Sequence, residues 1–183
     1  MADTVTPVLT RKMHYMFTLL DADQDGFLGE DDLAAVADRM ADVFPGRPDR
    51  IRALRDALHR LWEDHLAHVD LGGGRLDLKA FEQGIRRSVA ASPVTLLETL
   101  HAGASAWIAL TGVEDDGLIG LDEYLRLSQA IGGVPAQRME EAFRRLDRDG
   151  DGTLDPAEIG AAVVEFFTSE DPDAPGNWLY GPF

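Results

Sequence analysis

Two stretches of this chain, "DADQDGFLGEDD" over Asp21–Asp32 and "DRDGDGTLDPAE" over Asp147–Glu158, share one layout. Each has acids at its first, third, fifth and twelfth positions, glycine at the sixth and leucine at the eighth. Acids at alternating positions do not share a helical face, because a helix repeats every ~3.6 residues. Packed this closely without a counter-ion, they repel one another. A hard divalent cation explains both features, since it gathers oxygen ligands from alternating side chains around one centre. The pattern D-x-[DN]-x-[DN]-G-x5-E is that of a calcium loop. Glycine at the sixth position permits the sharp turn. The seventh residue supplies only its backbone carbonyl, so Phe27 and Thr153 serve equally, and a long twelfth side chain closes the ligand set from the next helix.

The flanks agree with this. Met13, Met16, Phe17 and Leu20 enter the first loop on the i, i+3, i+4, i+7 spacing of an amphipathic helix, and Leu33, Val36, Ala37 and Met40 leave it the same way. Around the last loop, Met139, Phe143 and Leu146 enter while Ile159, Val163 and Phe166 leave. Glu140–Arg144 and Glu141–Arg145 add i,i+4 support to the entering helix. Two weaker copies lie between, aligned by Gly74/Leu76 and Gly117/Ile119. Loop two, "VDLGGGRLDLKA", has Val69, Leu71, Gly73 and Ala80 where ligands belong and is expected to be metal-free. Loop three, "GVEDDGLIGLDE", begins at Gly112 but keeps Glu114, Asp116 and Glu123. It is either a loop retained to pair with loop four or a weak ion site.

The expected architecture is all-α: four helix–loop–helix units in two paired, compact lobes, with short strands joining the loops near Leu28/Leu76 and Ile119/Leu154. The "VFPGRP" turn at 43–48 separates units one and two, and Ser92-Pro93 reads as an N-cap with proline at N1. The divisions are a first pair over 1–91, a second over 92–167 and a tail over 168–183. In the tail, "DPDAPG" resists helix formation and is expected to run extended. Trp178, Leu179, Tyr180 and Phe183 then call for burial between the lobes.

Other chemistry is poorly supplied. The chain carries 33 acids against 17 basic residues, which disfavours nucleic acid and anionic membranes as partners. It has no cysteine, and so no disulfide, thiolate site or thiol nucleophile. "MADTVTPVLTRKMHYMF" has no basic segment leading into an apolar one, and no run reaches membrane-spanning length, so a cytosolic location is expected. His59, His65 and His68 lack the spacing of a zinc motif, and the last two read as helix C-terminal histidines at the negative dipole end. No nucleophile elbow or phosphate loop is present, so no enzyme is expected. Trp62, Trp107, Trp178, Tyr15, Tyr124 and Tyr180 read as core, with an organic-ligand cavity as the alternative.

Taken together, the two complete loops, the silent second loop and the ending "SEDPDAPGNWLYGPF" resemble the EF-hand superfamily. The similarity is to sarcoplasmic calcium-binding proteins and their bacterial calerythrin-like relatives. That resemblance implies a monomeric, cytosolic calcium-binding protein. Carried over by position, the ligands are Asp21, Asp23, Asp25, the Phe27 carbonyl and Asp32, then Asp147, Asp149, Asp151, the Thr153 carbonyl and Glu158. Water fills the ninth position at Gly29, and Asp155 holds its counterpart in loop four. Loop one ends in Asp32, one methylene short of glutamate, which favours lower coordination and better magnesium tolerance there. Two functional readings follow, a calcium buffer or signal modulator and a sensor that opens onto a target protein. The five scattered methionines give little support to an opening groove.

Overall fold

The computed structural model describes residues 7–69, 73–110, 117–131 and 134–183. Within them the chain forms eight α-helices and two short antiparallel strand pairs. The first half runs α1 (Val8–Leu20), β1 (Phe27–Gly29), α2 (Glu30–Val43), α3 (Pro48–Leu61), β2 (Arg75–Asp77) and α4 (Leu78–Ala91). The second runs α5 (Pro93–Ala109), β3 (Ile119–Gly120), α6 (Leu121–Ile131), α7 (Ala136–Leu146), β4 (Thr153–Leu154) and α8 (Pro156–Thr168). Strand β1 pairs with β2 in the register Leu28↔Leu76, and β3 with β4 in the register Ile119↔Leu154, the two pairings that the repeat predicts.

Local chemistry sets the helix ends. Ser92 caps α5, its side chain accepting from the Thr95 amide, and Pro93 follows at N1, where its missing N–H costs nothing. Asp155 and Glu158 form a reciprocal capping box at the start of α8, with Pro156 between them. The apolar stripes read from the sequence all face inward. Met13, Met16, Phe17, Leu20, Leu33, Val36, Ala37 and Met40 are buried in the first half, and Met139, Phe143, Leu146, Ile159, Val163 and Phe166 in the second.

These side chains belong to one continuous core. Helix α3 packs on α2 and α5, α5 also meets α4 and α8, and α1 meets α8, so both halves share that core. Burying each large side chain contributes about 1.5–3 kcal/mol.

Beyond α8 the path differs from the extended one expected. A turn through Asp171–Ala174 leads into a single 3-10 turn, Pro175–Trp178. The two prolines exclude an α-helix but not this tighter turn, whose proline occupies N1. Gly176 lies so close to α8 that an added Cβ would meet the Glu165 Cβ and the Ala162 carbonyl at 2.5 and 2.6 Å. From there Tyr180 packs on Phe166 at 5.1 Å between ring centres and on Trp107 at 6.2 Å. The Tyr15 hydroxyl donates to the Tyr180 carbonyl at 2.8 Å, and burial pushes the Tyr124 and Tyr180 hydroxyls above the ordinary phenol range.

Lys12 stitches α1 to this region. It is fully buried, and its Nζ donates to the Glu165 and Ser169 carbonyls at 2.9 and 2.7 Å and to Asn177 Oδ1 at 3.1 Å. Burial pulls its pKa down to about 8, against the opposing pull of the Glu170 and Glu165 carboxylates.

Candidate calcium sites

The four loops share a backbone signature. Each sixth-position glycine has positive φ: +85° at Gly26, +69° at Gly74, +73° at Gly117 and +87° at Gly152. This conformation is nearly closed to residues with a Cβ, and its recurrence fixes the register of the repeat. The loops also open alike. Asp21 leaves α1 at φ −66°, ψ 90°, and Asp147 leaves α7 at φ −70°, ψ 91°. Each amide donates back to the preceding helix, to Phe17 and Phe143 respectively, at 2.9 Å.

In loop one, carboxylate oxygens of Asp21, Asp23 and Asp25 converge to within 4.8 Å of one another. Backbone amides orient them. Asp21 accepts from Asp25 and Gly26 at 3.2 and 3.0 Å, and Asp23 from Asp25 at 3.1 Å. Asp25 accepts from Phe27 at 2.9 Å. Asp32 is buried and closes the loop differently, accepting from Ala22 at 3.0 Å and from Gly29 at 2.8 Å. Sequence reasoning missed Arg75, which reaches across from β2 and donates to Asp25 Oδ2 at 2.6 Å. Burial pushes the Asp25 pKa up, but the Arg75 bond and the Phe27 amide outweigh it and the net shift is downward.

In loop four the converging trio is Asp147, Asp149 and Glu158. Asp147 accepts from Gly150 and Gly152 at 2.8 and 3.0 Å. Glu158 accepts from Arg148 at 2.6 Å and Asp155 at 3.1 Å, the second and ninth positions that Asp32 spans in loop one. Asp151 accepts both the amide and the hydroxyl of Thr153, at 2.8 and 2.7 Å, and these two bonds hold its carboxyl below the usual range. The Asp155 Oδ1, expected to hold a water, accepts from the Glu158 amide at 2.7 Å as the helix cap. The Arg148 side chain turns away from the loop and pairs with Glu165 at 2.7 Å.

The other predicted residues fall as follows. In loop three Glu123 accepts from Gly120 at 2.9 Å, matching the twelfth-to-ninth reach of the complete loops, while Glu114 and Asp116 lie outside the described residues. His65 and His68 do fall in the last turns of their helix, but the helix changes form there. The α-helix ends at Leu61, a π-turn spans Trp62–Leu66, and His65 is buried with Nε2 3.1 Å from the Thr99 hydroxyl. Burial lowers the His65 pKa against the pull of Asp64, so desolvation outweighs any dipole effect. His59 instead pairs with Glu30 at 2.7 Å. Trp107, Tyr124 and Tyr180 do border apolar cavities, of only about 40 and 50 Å³. That is room for a few water molecules rather than an organic ligand.

Loop four and its two helices provide the decisive comparison, because residues 138–167 match the EF-hand domain family. The chain therefore carries an EF-hand domain at residues 138–167. Its wider similarity is to calcium-binding proteins. It is 26% identical over 114 residues to the sarcoplasmic calcium-binding protein of Perinereis vancaurica tetradentata, covering 62% of this EF-hand chain and 64% of that relative. The match therefore spans just under two thirds of the relative's length. A solved calcium-binding protein of Streptomyces coelicolor, described as acting in prokaryotic calcium-mediated regulation, is 27% identical with a TM-score of 0.71, covering 87% of this chain and 98% of that one. The photoprotein clytin is 23% identical with a TM-score of 0.78, covering 97% and 95%, and shows that the EF-hand units are assembled in the same fold. Among the described residues no helix is long and apolar enough to cross a membrane.

Proposed function

We propose that this EF-hand protein is a calcium buffer or signal modulator that stays closed on binding, acting as a cytoplasmic monomer without a catalytic role. Loops one and four hold the ions, through Asp21, Asp23, Asp25, the Phe27 carbonyl and Asp32 and through Asp147, Asp149, Asp151, the Thr153 carbonyl and Glu158. Their all-oxygen donor sets suit a hard cation, and loop one, with its shorter closing arm, tolerates magnesium better. The pairs over 1–91 and 92–167 are the working units, and the tail over 168–183 is their latch. The observation that carries the closed reading is the packing of Tyr180 against Phe166 and Trp107, where an opening sensor would expose its groove. Among the described residues, the large apolar side chains left exposed are Phe27, Val89, Val94 and Val164, dispersed over three helices and a loop strand.

A regulatory role with a protein target is the second reading, favoured by the likeness to the Streptomyces coelicolor protein. Calcium titration with a hydrophobic dye separates the two. A closed buffer shows two ions bound in calorimetry and unchanged dye fluorescence, whereas a several-fold rise on adding calcium indicates the sensor.

A further inference from the structure

Loop two has no carboxylate at its first, third, fifth or twelfth position, yet its β-strand is paired in register with loop one. The register sets Arg75 opposite Gly29, the ninth position of loop one, where there is no side chain to obstruct it. The guanidinium crosses that gap, donates to Asp25 Oδ2 at 2.6 Å and lies 5.6 Å from the centre of the Phe27 ring. The field of Asp23 and Asp31 also acts on it. Asp25 Oδ1 is meanwhile taken by the Phe27 amide at 2.9 Å. Both oxygens of a fifth-position ligand are thus engaged, one of them by a fixed positive charge.

We propose that Arg75 is an affinity-setting residue of loop one: the silent loop supplies an internal cation that competes with the divalent ion for Asp25. The inference rests on the reading of loop one as a calcium site. Arg75 then has two effects. It neutralises part of the carboxylate repulsion when no ion is bound, and it must release or share Asp25 before the ion is fully liganded. Both raise the dissociation constant of loop one. Among the described residues no arginine side chain pairs with an acid of loop four, and its own arginine, Arg148, is paired with Glu165. A guanidinium suits the part, since it stays charged at any physiological pH and stacks on an aromatic face.

The test is calorimetry on the full chain with calcium as titrant, using Arg75→Ala, Arg75→Lys and, as the site control, Asp21→Ala. Removing a unit charge about 6 Å from a divalent ion, at an effective dielectric of about 80, tightens binding about tenfold. Arg75→Ala is expected to lower the dissociation constant of the loop-one ion by that factor, with loop four unmoved. Arg75→Lys, which keeps the charge and loses the fork, should move it less. An Arg75→Ala protein that binds the loop-one ion equally or more weakly overturns the proposal, and weaker binding would make Arg75 a positioning residue of the strand pair instead. If Asp21→Ala still binds both ions, the reading of loop one itself fails and takes the proposal with it. If Asp21→Ala loses one ion while Arg75→Ala changes nothing, only the role of Arg75 fails.

Discussion

Loops one and four both carry acids at their first, third, fifth and twelfth positions, yet their surroundings differ at several points that bear on ion affinity. In loop four the twelfth side chain is a glutamate that reaches the group formed by Asp147 and Asp149. In loop one the shorter Asp32 reaches the same two backbone amides but not the carboxylate trio, which Asp25 completes instead. Loop four is entered and left by residues that serve its own helices, with Asp155 capping α8 and Arg148 tied to Glu165. Loop one accepts a charge from its neighbour through Arg75. Twelve residues of sequence therefore specify where the acids stand, while the partner loop and the next helix decide what surrounds them.

The tail bears on both loops: Glu165 holds Arg148 and the Gly176 amide, while Lys12 and Tyr15 of α1 donate to Asn177 and the Tyr180 carbonyl. Truncation after Ser169 gives the largest expected effect. Losing the contribution of even one large buried side chain, about 1.5–3 kcal/mol, lowers the melting temperature by about 3–12 °C. Dye fluorescence should rise with it, and both loops should weaken. A truncated protein that matches the full chain in melting and dye binding would show the tail to be independent of both.

Glu158→Gln comes next. Removing the charge that closes loop four should raise its dissociation constant about tenfold or more, which is about 1.4 kcal/mol, and leave loop one unchanged in the same titration. The fourth position then separates the loops by backbone alone. Gly150 has φ +74°, and Gln24 already bears φ +59° with a side chain in place. Gly150→Ala should cost about 1–2 kcal/mol, whereas Gln24→Gly exchanges strain relief for chain entropy and should move stability by less than about 1 kcal/mol. The smallest effect is expected of Asp32→Glu. One methylene more should bring the closing carboxylate towards the trio and tighten loop one about threefold, narrowing its difference from loop four, as read in competitive titration with a chelator.

Much of this was legible because the chemistry is local. The acids, the sixth-position glycine and the apolar eighth residue lie within twelve positions, so the sequence alone placed Leu28 opposite Leu76 and Ile119 opposite Leu154. Ser92-Pro93 announced the start of α5 for the same reason. What escaped depends on neighbours distant in sequence or on small shifts of backbone. Arg75 meets Asp25 only once two loops 50 residues apart pair in one register. The Thr153 hydroxyl was unassigned because the family pattern asks only for its carbonyl. The burial of His65 against Thr99 escaped because helical periodicity does not foresee a π-turn.

Lys12 has a consequence in time rather than in space. Its three acceptors lie 153, 157 and 165 residues further along the chain. On a ribosome adding about 5–20 residues per second, that separation is roughly 8–30 seconds of synthesis. Throughout that interval the ammonium has no native partner and must stay hydrated, so α1 cannot settle into its final seat. Loop one, which α1 leads into, is made first but finished only when the residues after loop four arrive. Final packing of α1 therefore waits for residues 165–177, however early loop one is made.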